Sequence, residues 1–472
     1  MATIDNVEKA EIFPINPPSN GRYSFKNGFP IIQFQIANQD KFLNATTLRL
    51  NGTLRLQGPG ASSGNLVPPT NTSGGAAATN GIALNQRVGI PSVLQQITLA
   101  TQSNQTLEVV RSYGRYLASV MAVTHSASDF DTANTIGNPA SASRSFNSAL
   151  QVNNDVSFSI PLRTGLLQSG SPLPLGNNGL RGMLINLELA PDAHVISGYS
   201  TFDATGAETK QLFNPISTGA FYELADLSLT YDLLVPDESG RQKMSAPATG
   251  QFLYNSISQL YGVLNSSDQT QNYNLGTANT LSVFHNFIPT TQINNYAADG
   301  FSTGRLKNSN GGAFDVDANL NRVTFIRGGS KFPLDFALDV EKEAQEDRPQ
   351  TELEQRFIDA IKPLPSYNHS LVSLNTQNKI GDDIGFQLEP TPRNDNTLAE
   401  PAPVFGAGVN LDPLTRVGVD FKNTNYGIRL ESNLDGNSPN SIYTYVVAKN
   451  VLTYSPNGIM VPAVQTLSLI HI

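Results

Sequence analysis

The chain contains no cysteine. That excludes a disulfide framework, a thiol nucleophile and any cysteine-ligated metal. Charge is also scarce: Asp, Glu, Lys and Arg make up 15% of the 472 residues, whereas Asn, Gln, Ser and Thr are abundant. A helix-rich protein would normally carry more Glu, Lys and Arg. No run of about 18 apolar residues is present to span a bilayer. The opening MATIDNVEKAEIFPINPP lacks a basic stretch followed by an apolar core, so a secretory signal is not expected. The net charge of −9 argues against a broad duplex-binding surface. Histidines are few and scattered, at His125, His194, His285, His369 and His471, with no pair at helical or alternate-strand spacing.

What is present suits short strands joined by polar loops. Gly (38) and Pro (29) are moderately frequent. The length favours two or more cores. Alternation predicts strands at Ile31–Ile36, Thr47–Leu56, Val93–Ala100, Val156–Pro161, Met183–Leu189, Ala193–Ile196 and Tyr222–Leu234. Later strands are predicted at Leu281–Phe287, Arg322–Ile326, Pro333–Val340, Leu371–Asn375, Ile384–Leu388 and Ile442–Tyr454. Val417–Phe421 and Tyr426–Leu430 are expected to pair. Between Val156–Pro161 and Met183–Leu189 lies a corner rich in Pro and Gly; Phe158, Ile160, Leu184 and Leu187 are its candidate packing residues.

Helical spacing of Val109, Val110, Tyr113, Tyr116, Leu117, Val120 and Met121 predicts a helix from about Thr106 to Val123. Thr351 followed by Glu354 starts a second helix, Thr351–Lys362, which Pro363 and Pro365 stop. Phe252–Leu264 reads as helix or strand, with Ile257, Leu260, Tyr261 and Leu264 favouring helix. The two halves share one rhythm, strands leading into a single helix and then more strands, although the letters repeat poorly. Residues 1–29 read as an extended arm, 30–236 as a first domain, 237–250 as a flexible linker and 251–466 as a second domain. Leu467–Ile472, LSLIHI, resembles the translated end of a sequencing adapter and is set apart as a candidate non-native tail.

No residue constellation points to catalysis. Asp315 with Asp317, and Asp382 with Asp383, could hold a divalent ion or act as paired carboxylates. No helix–loop–helix calcium pattern accompanies them, and the preferred reading is solvated loop. Asn51-Gly52-Thr53 and Asn71-Thr72-Ser73 match the glycosylation pattern but lack a secretory context. Arg322, Arg327 and Lys331 are read as a solvated face or an interface. No catalytic, cofactor-binding or metal residue is assigned, no cofactor is expected, and the chain is not read as an enzyme.

Three segments resemble the double jelly-roll major capsid proteins of double-stranded DNA viruses, within the lineage of bacteriophage PRD1 and adenovirus and nearest the virophage and Polinton-like branch. They are VLQQITLATQSNQTLEVVRSYGRYLASVMA (Val93–Ala122), VSFSIPLRTGLLQSGSPLPLGNNGLRGMLINLEL (Val156–Leu189) and NRVTFIRGGSKFPLDFAL (Asn321–Leu338). The resemblance implies an all-β chain of two consecutive eight-stranded antiparallel jelly rolls, with short helices in the inter-strand connections. It implies a homotrimer forming a pseudo-hexagonal capsomer in an icosahedral virion shell, assembled in the host cytoplasm or nucleus. Neighbouring capsomers, penton and minor capsid proteins are the implied partners, with no specific nucleic-acid site and no transmembrane segment. Loops 57–82, 126–150 and 297–313 would be exposed, and arm 1–29 would run beneath the subunit. The alternatives are a minor viral vertex or spike protein, a carbohydrate-binding β-sandwich adhesin, and a polysaccharide-active enzyme on a β scaffold.

Overall fold

Two-residue alternation sends one row of strand side chains inward and the next outward. A computed structural model describes residues 4–57, 80–84, 88–124, 155–177, 179–202, 208–212, 219–245, 250–296, 300–301, 320–339, 351–364, 406–412, 418–432, 440–455 and 458–460. The first half runs β1 (Ile4–Ile12), β2 (Ile31–Ile36), β3 (Phe42–Gln57), β4 (Asn80–Leu84), β5 (Leu94–Thr101), β6 (Thr106–Arg111), α1 (Tyr113–Thr124) and β7 (Val156–Pro161). It continues through β8 (Leu173–Pro174), β9 (Met183–Leu189), the one-turn α2 (Asp192–Val195), β10 (Ile196–Phe202), β11 (Glu208–Leu212) and β12 (Phe221–Pro236). The second half runs α3 (Glu238–Ser245), β13 (Gly250–Leu264), β14 (Asp268–Tyr273), β15 (Thr280–Pro289), β16 (Leu320–Arg327), β17 (Ser330–Lys331) and β18 (Leu338–Asp339). After α4 (Thr351–Ile361) come β19 (Ala407–Asn410), β20 (Tyr426–Ser432), β21 (Asn440–Ser455) and β22 (Gly458–Met460).

The first half forms two antiparallel sheets, ordered β1-β12-β3-β7 and β2-β9-β5-β6. Number those eight strands along the chain, and the orders are first-eighth-third-sixth and second-seventh-fourth-fifth. The second half has sheets β13-β21-β15-β19 and β14-β20-β16-β17. Numbered the same way, its orders are identical. Each half is therefore a jelly roll, two antiparallel sheets closed over a shared core. In both halves the long helix falls between the fifth and sixth strands. The common rhythm of the sequence is thus a common topology. Strands β4, β10 and β11 form a separate three-stranded sheet.

The strands with clean alternation form where expected. Ile32, Phe34 and Ile36 of β2 are fully buried, as are Met183, Ile185 and Leu187 of β9. Leu229, Tyr231 and Leu233 of β12 are buried too. Phe158, Ile160 and Leu187 pack inward as expected, but Leu184 is only half-buried because it stands on the other face of β9.

Several elements differ from expectation. Ile4–Ile12, placed in an extended arm, is instead a strand in register with β12, from Ile12↔Leu229 to Ile4↔Pro236. Its edge position leaves most of its side chains in solvent, so it carries no alternating pattern to read. The helix expected from Thr106 begins only at Tyr113, since Leu107, Glu108 and Val110 belong to β6. Ser112, at φ 47°, breaks the chain between the two. Phe252–Leu264 is strand, not helix. Ala193–Ile196 is mostly helical turn, the flexible linker holds α3, and Pro333–Val340 shrinks to the two residues of β18. Val419 bridges to Thr280 while Tyr426–Ser432 pairs with β14 and β16, so those two segments do not pair with each other. Leu371–Asn375, Ile384–Leu388, loop 126–150, nearly all of loop 57–82 and the tail 467–472 lie outside the described residues.

The RGG at Arg327–Gly329 has a structural role. Arg327 pairs with Ser330, leaving Gly328 (φ 55°) and Gly329 (φ 87°) as a two-residue hairpin loop. Both positive angles suit glycine and match the twist of the flanking strands. Gly329→Val should lower stability by about 1–2 kcal/mol, read as a shifted urea midpoint at unchanged slope. An unmoved midpoint would refute this.

Candidate functional site

The most heavily built region is the seam between the two rolls. One hydrophobic core runs through the first roll and across the seam, taking in Phe252, Tyr254, Ile257, Phe284 and Tyr445 of the second half and Phe357 of α4. A second core, around Val283, Phe287, Phe325, Ile428 and Val446, belongs to the second roll alone.

Glu108 on β6 is fully buried at this seam. Its Oε1 accepts N–H groups from Gly165 (3.2 Å) and from Ile257 of β13 (3.0 Å), and its Oε2 accepts that of Leu166 (2.8 Å). The carboxyl thus joins a turn of the first roll to the edge of the second. Burial raises its pKa, and the hydrogen bonds from Leu166, Ile257, Thr164 and Gly165 oppose that rise. Gly165 is required by close approach. A Cβ there would stand 1.8 Å from the Asn255 carbonyl oxygen and 2.8 Å from Glu108 Oε1. Tyr254 donates its hydroxyl to the Leu107 carbonyl (3.1 Å), and Asn255 Nδ2 donates to the Pro363 carbonyl (2.8 Å).

Helix α1 continues the seam. Tyr116 meets Tyr445 of β21 at 5.7 Å between centroids, and the Tyr445 hydroxyl donates to the Ser112 carbonyl at 3.1 Å. Asn286 donates to the Ser119 hydroxyl. Arg115, 1% exposed, donates to the Gly300 carbonyl and lies over Tyr443, 4.4 Å from its centroid. Gly300 and Phe301 fall in a loop expected to be exposed, yet both are buried against this helix and His194. Helix α4 occupies the corresponding place in the second roll, against Gly408 of β19 and Gly406 just before it. A Cβ on Gly408 would sit 2.7 Å from the Ala360 Cβ, and Phe284 packs edge-on against Phe357 at 6.0 Å.

The residues singled out for chemistry are not brought together. His285 is fully buried, with its ring nitrogens 2.8 Å from the Thr444 hydroxyl and 2.7 Å from the Tyr426 hydroxyl; burial lowers its pKa to about 3. His194 packs on Phe301 at 4.5 Å. Arg322 pairs with Glu431 at 3.2 Å, and Arg327 donates to the Asp420 carbonyl at 2.9 Å. Asn51 donates to Thr230 inside the first sheet, so it is a strand residue. Asp192 is pushed up to about 6, chiefly by burial, while it accepts the Tyr222 N–H and so ties α2 to the start of β12. Asp315, Asp317, Asp382, Asp383, Asn71, His125, His369 and His471 lie outside the described residues. Among the described residues no group of three or more His, Asp or Glu could hold a metal ion, and no helix is long and apolar enough to cross a membrane. Sequence reasoning missed Glu108 and Arg115. The only available signal was a charged residue inside an apolar period, in LEVV and in SYGRYL.

Comparison with family profiles and with curated proteins finds no match. Solved structures do match, along nearly the whole chain. The Faustovirus major capsid protein has a TM-score of 0.57 at 12% identity, covering 96% of this chain and 91% of that one. VP54 of the virus PBCV-1, fitted into a reconstruction of the virophage Sputnik, gives 0.54 at 12% identity and covers 97% of each chain. The Sputnik virophage structure gives 0.53 at 11% identity, over 99% and 92%. The class defined by the fold is therefore the double jelly roll. Among the matched structures, the Faustovirus chain is a major capsid protein, and a PBCV-1 virus capsid matches with a TM-score of 0.55 at 13% identity over 97% of each chain.

Proposed function

We propose that this chain is a major capsid protein whose trimers act as pseudo-hexagonal capsomers of an icosahedral virion. The observation that carries the reading is the duplicated strand order of the described residues, in a chain that aligns over more than 90% of the Faustovirus major capsid protein and of a PBCV-1 virus capsid chain. A shell builder needs a stiff block with repeated contacts rather than a reactive cleft, because identical copies must close by symmetry. The buried seam supplies that stiffness. We assign the first roll to 30–236 with β1 added, the connection to 237–250, and the second roll to 251–466. Neighbouring capsomers, penton proteins and minor capsid proteins are the partners in this reading, and the virion is its place of residence.

Native mass measurement should give a trimer of the 50.7 kDa chain. Electron microscopy of particles assembled from it should show hexagonal capsomers. A strictly monomeric chain at micromolar concentration, with no assembly, would overturn the reading.

A further inference from the structure

The first strand of each roll sits at the edge of its sheet, and the two edges meet different fates. Strand β13 pairs with β21 on one side. Its other side is covered by the first roll, where Ile257 reaches Glu108 of β6, the fifth strand of that roll, and Asn255 lies against Gly165. Strand β1 is the topological counterpart of β13. Among the described residues it pairs with β12 alone. Among the described residues its outer edge has no counterpart of β6 against it. Ile4 and Val7 are 40% and 51% exposed there, and Phe13 and Ile15 just beyond are 66% and 53% exposed.

What would cover it follows from topology and charge. In the covered edge, the fifth strand of one roll lies against the first strand of the other. Repeating that contact between chains brings the fifth strand of a second roll, β17 in the Arg327–Lys331 hairpin, to the edge of β1. Strand β1 carries Asp5, Glu8 and Glu11 against one cation, Lys9, with Glu8 already paired to Lys41 at 2.6 Å. The hairpin carries Arg327 and an exposed Lys331, with Asp335 following. Nearby Phe336, 43% exposed, offers apolar surface to match Ile4 and Val7. Two copies of β1 would instead set acid against acid, which disfavours symmetric edge pairing.

We propose that the outer edge of β1 seats the Arg327–Lys331 hairpin of a second copy of this chain, in a head-to-tail contact. The contact is heterologous, so each subunit gives its first-roll edge to one neighbour and its second-roll hairpin to the other. This rests on the capsomer reading and assigns residues to its subunit interface.

The absence of cysteine from the sequence permits a clean test. A Val7→Cys/Ser330→Cys chain is treated with a short bismaleimide at the concentration where wild type is trimeric. Covalent trimers are expected from the double variant and monomers from either single variant. Separately, Glu11→Lys and Lys331→Glu should each lower the trimer fraction at moderate salt at least several-fold, and the double exchange should restore it. Self-linking of Val7→Cys alone would show symmetric edge pairing and overturn the proposal. So would monomers only from the double variant, or charge exchanges without effect. If those results arise in a chain that is still trimeric, the capsomer reading stands and this interface falls. A monomeric wild type would remove both.

Discussion

Glu108→Ala should cost about 3 kcal/mol or more of unfolding free energy and should loosen the seam between the rolls before it disturbs either roll. The substitution leaves the N–H groups of Gly165, Leu166 and Ile257 buried with no acceptor. Each orphaned donor costs about 1–3 kcal/mol, partly offset because a carboxyl no longer has to be buried. Hydrogen exchange reads the effect directly: the three amides should lose protection while those of β2 and β9 keep theirs. Unchanged protection at Gly165, Leu166 and Ile257 would sink the assignment. Glu108→Gln should cost less, since its carbonyl oxygen can still accept the Gly165 and Ile257 donors and only the Leu166 N–H, then facing the amide NH2, loses its acceptor. The pH dependence has a definite sign. Burial raises the folded pKa of Glu108 above its unfolded value. Its contribution is therefore full below the ordinary carboxylate range and declines as pH rises through the folded value. The Gln variant should lack that decline.

The second large effect is acid sensitivity of the second roll. His285 stands on β15 and reaches Thr444 of β21 in its own sheet and Tyr426 of β20 in the facing sheet. A neutral imidazole donates at one nitrogen and accepts at the other, so it can satisfy both hydroxyls. An imidazolium would be a fully buried cation among Tyr273, Phe287, Phe325 and Tyr426. The folded pKa, about 3, lies below the ordinary value of 6.5. The stability tied to the neutral ring is thus present above pH 6.5 and is lost as pH falls toward 3, at up to about 1.4 kcal/mol per pH unit. His285→Gln should be less stable than wild type at pH 7, and the gap should close progressively by pH 4. Urea melts at pH 7, 5 and 4 check this; a gap that stays constant would refute it.

Legibility in the sequence followed how many neighbours each element serves. Strands β2, β7 and β9 each present one face to one core, so a period of two is written plainly in IIQFQI, VSFSIP and MLINLEL. Strand β13 serves two. Phe252, Tyr254 and Ile257 enter the core shared across the seam, while Leu264 enters the core of the second roll. Phe252, Tyr254, Leu260 and Leu264 keep one phase along an unbroken register, but Ile257, of opposite parity, is buried at the seam as well, and the spacing of Ile257, Leu260, Tyr261 and Leu264 then imitates a helix. Strand β14, DQTQNY, lies at a sheet edge with mostly exposed or half-buried side chains and shows no pattern. Gly408 of β19, and Gly406 just before it, lack side chains where α4 lies directly on them, which leaves β19 a short run, AGVN, with little pattern to read. The seam residues were hidden for a further reason. A buried Glu is made tolerable by backbone donors 57 and 149 positions away, and no local window contains them.

In each roll the first and last principal strands are neighbours, β1 beside β12 and β13 beside β21. The entrance and exit of each roll therefore lie on adjacent strands, and a passage as short as α3 carries the chain onward. Such a unit can be copied end to end without threading one copy through another. A single gene duplication, followed by drift, is a sufficient route to two halves that keep one strand order while their letters no longer match.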